Sequence, residues 1–158
     1  MCRVLAVSLV VLAAGAALPA AASATIFPQK SIAGIRLGIS EEQVRDRLGE
    51  PSQTIRESNE FGPYIELVYR RTRLRVRLQG EEQVTFVTTS SRRERTRRGI
   101  RVGSHERSLR RNVRGVRCSS FMRFRNCAVG REEPGRTVTS FVIRRDRVAR
   151  ISLGIVID

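Results

Sequence analysis

Tryptophan is absent from the 158 residues, and only two tyrosines and six phenylalanines accompany its absence. So few aromatics argue against an aromatic ligand platform and against the base-stacking surface of a single-strand nucleic-acid binder. Histidine occurs once, as His105. It is expected at the start of a helix, capping it or exposed to solvent. With no Cys–His or Asp–Asp motif beside it, nucleophilic and general acid–base chemistry have no residue set to run on. No catalytic residue, cofactor or metal is therefore expected, and the reading is not that of an enzyme. Glycine-rich phosphate loops are also missing; Gly34, Gly38, Gly99 and Gly103 read as turn glycines. Cysteine is scarce, with Cys2, Cys118 and Cys127 alone, too few for an ordinary zinc site. Past the first apolar run, no stretch reaches the roughly 20 residues needed to span a bilayer.

That first run carries a message of its own. Arg3 precedes an apolar stretch from Val4 to Leu18, and Ala22-Ser23-Ala24 closes it. A charged start, an apolar centre and a small-residue exit make a secretory signal, with cleavage expected after Ala24. The alternative is an uncleaved N-terminal anchor. A lipoprotein signal is disfavoured, because no cysteine ends the run. The expected location is secreted, or periplasmic and cell-envelope associated, with no membrane-spanning segment after cleavage. Cys2 leaves with the signal, and in an oxidising compartment Cys118 and Cys127 most simply pair with each other. Two free thiols are the alternative.

Charge is strongly one-sided. The formal net charge is +15, and Lys30 is the only lysine among 30 basic residues. The plain alternative to a functional reading is that most of the arginines reflect the codon usage of a GC-rich genome. In a cytoplasmic protein such a charge would point to nucleic acid; export makes nucleic acid a poor partner.

Two segments of the chain look alike. Gly34-Ile35-Arg36-Leu37-Gly38 is echoed by Gly99-Ile100-Arg101-Val102-Gly103 about 65 residues on. Ser40 with Gln43 forms a capping box, Val44 and Leu48 share one helical face, and Gly49 and Pro51 stop the helix. The second block offers Ser104 as cap, Leu109 and Val113 as the apolar pair and Gly115 as the stop. Strands are expected from Ile65 to Leu78, broken by a turn at Arg70–Arg73, and from Val84 to Thr89. A turn at Gln79–Glu82 separates them. In the second half they run from Phe121 to Cys127, from Arg136 to Arg144 and from Val148 to Ile157. The expected organisation is a signal over 1–24, a first repeat over 25–91, a basic solvated linker over 92–98 and a second repeat over 99–158.

The string from Gly34 to Gly38, followed by Ser40, Glu42, Val44, Leu48, Gly49 and Pro51, resembles the opening motif of a known group. It contains the secreted beta-lactamase-inhibitor-protein-like domains and the small lipoprotein domain of outer-membrane assembly, SmpA/OmlA-like. The resemblance implies an α+β fold: two tandem repeats of a short helix plus an antiparallel β-meander, forming one curved sheet with the helices packed on one face. It also implies an exported binder of other macromolecules. Inhibitor-type members use an aromatic-rich sheet face, which this chain does not carry.

Arg73, Arg75 and Arg77 alternate with Leu74, Val76 and Leu78; Arg123 and Arg125 alternate with Met122 and Phe124. Period two predicts arginines on one sheet face and apolar residues on the other. If the apolar side meets the helices, these five arginines form an outward ladder able to fork carboxylates or phosphates. The expected partner is an acidic protein, an anionic envelope polymer or an anionic lipid surface. A solvated arginine face without a ligand is the plain alternative, with an envelope assembly factor or a secreted enzyme inhibitor as further roles.

Overall fold

The computed structural model describes residues 25–80 and 82–157. The expected signal and its cleavage point lie outside the described residues, as does Glu81 of the expected Gln79–Glu82 turn. A two-stranded hairpin opens the fold, β1 (Ile26–Phe27) against β2 (Ser31–Ile32). Helix α1 (Glu41–Leu48) follows, then β3 (Gln53–Asn59), β4 (Gly62–Tyr69), β5 (Leu74–Gln79) and β6 (Gln83–Thr89). Helix α2 (Glu106–Asn112) precedes β7 (Arg117–Phe121), β8 (Phe124–Val129), β9 (Thr137–Arg144) and β10 (Arg147–Ile155). The last eight strands form one antiparallel sheet in the order β3-β4-β5-β6-β10-β9-β8-β7.

This corrects the α+β class with two helix-plus-meander repeats. Among the described residues the fold is mainly β, with ten strands against two helices of 8 and 7 residues. Two turns of helix cannot cover eight strands. Each helix sinks one fully buried side chain, Val44 from α1 and Leu109 from α2. The small β1–β2 hairpin and irregular chain add to that side of the core: Ile26 and Ile32 from the hairpin, and Ile35, Ile39, Ile100 and Val102 from loops. The sheet is also continuous. β6 and β10 pair directly in its middle, Thr89 opposite Ile151 and Val87 opposite Leu153.

The helix termini follow their local chemistry. Ser40 Oγ accepts from the Gln43 backbone N–H, and the Gln43 side chain accepts from the Ser40 N–H, satisfying two orphan donors. At α2 the cap residue is His105, not Ser104, and its exposed imidazole makes no capping bond. Ser104 Oγ instead accepts from the Arg101 N–H. The 92–98 segment is only partly solvated. Thr96 is buried, and the Arg95 carbonyl accepts from the N–H groups of Thr25 and Ile26.

Alternation decides which side each strand residue takes. Leu74, Val76 and Leu78 of β5 are buried against the helix layer, so Arg75 and Arg77 point away from it. Bulges in β6 and β10 complicate the pattern. β10 shifts register between Val148 and Arg150, so Val148 faces the core opposite Ile143 while Arg150 lies opposite Val142 on the other face. Without the extra residue, Arg150 would share the core side with Val148.

Candidate functional site

Among the described residues, one sheet face carries no helix. Across its central strands stand Arg75 and Arg77 on β5, Phe86 and Thr88 on β6, Arg150, Ser152 and Gly154 on β10, and Ser140 and Val142 on β9, matched by register. Phe86 packs against Gly154: a Cβ there would come within 2.7 Å of Phe86 Cδ2. The glycine thus leaves room for an aromatic ring on the sheet surface.

Arg75 and Arg77 share a single acid. Arg75 Nη1 donates to Glu66 Oε1 at 2.8 Å, and Arg77 Nη2 donates to Glu66 Oε2 at 3.1 Å. Glu66 is only 9% exposed, and the Arg77 guanidinium stacks over the Tyr64 ring at 4.5 Å from its centroid. The Tyr64 hydroxyl donates to Glu57 at 2.6 Å, and that bond raises its pKa above the usual tyrosine value. Two guanidiniums on one carboxylate leave an uncompensated positive charge. It adds to a depression of about 590 Å³ at the β4–β5 turn, lined by Arg70, Arg73, Arg75 and Arg150 together with Thr88 and Ser90. Among the described residues no acidic one lines it. A second depression of about 560 Å³, lined by Phe86, Asn126, Val138, Val142, Ser152 and Gly154 among others, also includes Arg150, so the two meet there.

The five expected arginines are not one ladder. Arg75 and Arg77 hold the expected face. Arg73 sits in the turn before β5 with φ 54°, and reaches the same depression. Arg123 lies in the two-residue turn between β7 and β8, at the far end of the sheet order. Arg125 is on the opposite, helix-covered face. It shares that side with Cys127, two residues on, and its Nε and Nη2 grip Glu106 of α2 at 3.0 and 2.5 Å. The expected Phe121–Cys127 strand is in fact a hairpin, and its turn breaks the alternation on which the second arginine pair depended. Arg70 and Arg150 were missed. The apolar spacing Val148 to Ile151, three residues rather than two, is the sequence signal of the bulge that brings Arg150 round.

The Arg125–Glu106 pair has a pH signature. Hydrogen bonding to Arg125 holds the Glu106 carboxyl below its usual value near 4.5. Folding therefore gains this stabilisation only while Glu106 is ionised: fully present above about 4.5, it is lost as pH falls through the lower folded value. Melting temperatures measured from pH 6 to pH 3 should fall more steeply for the wild type than for Glu106→Gln, which has no such proton to take up.

Cys118 and Cys127 face each other across β7 and β8 and form a disulfide. Their sulfurs approach Glu106 closely enough to resemble a metal cluster, but the disulfide leaves no thiolate to ligate. Among the described residues no helix is long and apolar enough to cross a membrane.

Among the described residues, an eight-stranded antiparallel sheet with short helices on one face and a cationic, helix-free other face defines a mainly β fold. No protein-family model matches the chain, and no curated protein matches it. Solved structures do resemble it. An extracellular protein containing an SCP domain from Bacillus anthracis superposes with a TM-score of 0.54 at 10% identity, over 92% of this chain and 50% of that one. The chain therefore spans about half the length of that protein. Weaker likenesses are a DUF4309-family protein from Bacillus subtilis, at TM-score 0.48, 14% identity and 73% of this chain against 78% of that one. A cysteine-rich secretory protein from Staphylococcus aureus follows at 0.46, 8% identity, and 75% against 43%. The first of these likenesses speaks to the fold alone.

Proposed function

We propose that this is an exported, non-enzymatic binding protein that docks an acidic macromolecular partner on the helix-free sheet face. The cationic depression at Arg70, Arg73, Arg75 and Arg150 receives the partner's anionic groups. The observation that carries this reading is the clustering of four arginines around one concavity without an acidic lining residue. Guanidinium forks suit carboxylate and phosphate equally, and Thr88 and Ser90 add hydroxyl donors. The adjoining groove past Arg150, with Phe86 and Val142 on its floor, accommodates less polar parts of the same partner. Export is supported by the signal-like first 24 residues and by the Cys118–Cys127 disulfide, a bond favoured outside the reducing cytoplasm. The similarly folded Bacillus anthracis protein is described as extracellular, which fits.

The test titrates the protein with labelled sodium polyphosphate and with poly-glutamate at low and raised salt. Arg75→Glu with Arg150→Glu should weaken binding at least ~100-fold at low salt, since each lost charge-assisted contact is worth a decade or more. Glu66→Gln, which releases Arg75 and Arg77, should tighten it. Preference between the two polymers separates phosphate from carboxylate recognition. Wild-type affinity in the double charge reversal would end the proposal.

A further inference from the structure

The β7–β8 hairpin ends in Phe121-Met122-Arg123-Phe124, and its three apolar side chains are 72%, 84% and 63% exposed. Phe121 and Phe124 are directly paired across the strands, and both point to the helix-free side. Met122 is held at φ 51°, a left-handed conformation that glycine or asparagine would take more easily. That arrangement leaves a large thioether almost fully exposed at the hairpin tip. The disulfide between Cys118 and Cys127 ties the two strands three residues behind the tip, so the tip is presented on a braced arm.

The surroundings are cationic. Arg125 pairs with Ile143, so Phe124 lies level with Arg144, and Arg145 opens the adjoining β9–β10 turn. Arg123, Arg144, Arg145 and Arg147 are all exposed at this end, against Asp146 alone; Glu106 is already committed to Arg125. The tip is a protruding apolar wedge inside a collar of arginines. It suits a soft, anionic surface: side chains enter between lipid headgroups while guanidiniums meet the phosphates.

We propose that the Phe121–Phe124 hairpin tip inserts shallowly into an anionic phospholipid bilayer. The tip joins β8 and β7, two and three strands from β10 in the sheet order, on residues that the sheet-face site does not use, and stands independently of that reading.

The expected mature protein, residues 25–158, holds the core formed by the described residues and serves as the test protein. The probes are vesicles of phosphatidylcholine alone and of phosphatidylcholine with phosphatidylglycerol, followed by co-sedimentation. Because the chain has no tryptophan, Phe124→Trp supplies a single fluorescent reporter at the tip. The mixed vesicles should bind the protein and shift that emission to shorter wavelength, and raised salt should weaken the binding. Phe121→Ser with Phe124→Ser should lower partitioning at least ~10-fold, the loss of two partly inserted rings. The same variant should keep its melting temperature, both rings being solvent-exposed, and its polyphosphate affinity. An unshifted emission on mixed vesicles, or wild-type partitioning of the double serine variant, would overturn the insertion without touching the sheet-face reading. Capture of the tip by a protein with no vesicle binding would overturn it equally.

Discussion

Replacing Phe141 by alanine should cost about 3–5 kcal/mol of folding stability, the usual range for truncating a buried phenylalanine. Phe141 sits on β9, paired with Cys127 on β8 and Ile151 on β10, and is fully shielded from solvent. It is among the largest side chains buried to that degree. Its neighbours are held by strand ladders on both sides, so the sheet cannot close around the hole it leaves. A domain of this size has about 5–15 kcal/mol in total, so the variant should lose a large share of it. Urea and thermal unfolding would measure the loss. Phe121→Ala, at an exposed position, should fall within about 0.5 kcal/mol of wild type. A loss below about 1.5 kcal/mol for Phe141→Ala would mean that the β8–β10 layer is not a packed interior.

Opening the Cys118–Cys127 bond should cost about 3 kcal/mol, the chain-entropy value for so short a closed loop. That corresponds to a fall in melting temperature of roughly 10 °C. β7 is an edge strand with β8 as its one neighbour in the sheet, and its burial is slight. The crosslink therefore supplies a large share of what keeps it in place. Two measurements separate crosslink from packing. Reduction of the wild type removes the bond alone, whereas Cys118→Ala with Cys127→Ala also removes a sulfur from the fully buried Cys127 site. The alanine variant should be the less stable of the two. Equal melting temperatures for oxidised and reduced protein would show that β7 needs no staple.

How much of this was legible beforehand differs strand by strand. The Leu74-Arg75-Val76-Arg77-Leu78 alternation is strong, and the structure places those side chains as period two requires. β3 was not anticipated, because Gln53–Asn59 is an edge strand whose residues are at most half-buried, leaving no apolar row to read. The hairpin at Met122-Arg123 was unreadable for a different reason. Its turn uses a methionine at positive φ where glycine or asparagine would have marked it. One unmarked turn was enough to misplace both Arg123 and Arg125. Burial of the Cys127 disulfide offered a way to the second: a residue two positions before an inward cysteine points inward as well. The helix signals were locally sound at Ser40, Gln43 and Val44, but caps report where a helix begins, not how much of the fold it makes. Class was misjudged for that reason.

The order β3-β4-β5-β6-β10-β9-β8-β7 has a kinetic corollary. Every ladder joins strands adjacent along the chain except the one between β6 and β10, where Thr89 meets Ile151. Local hairpins close quickly, whereas this seam must bring together segments separated by the whole of α2 and three strands. Refolding should thus be paced by a single distant encounter, and alterations at the seam should slow it more than equally destabilising ones in the outer hairpins.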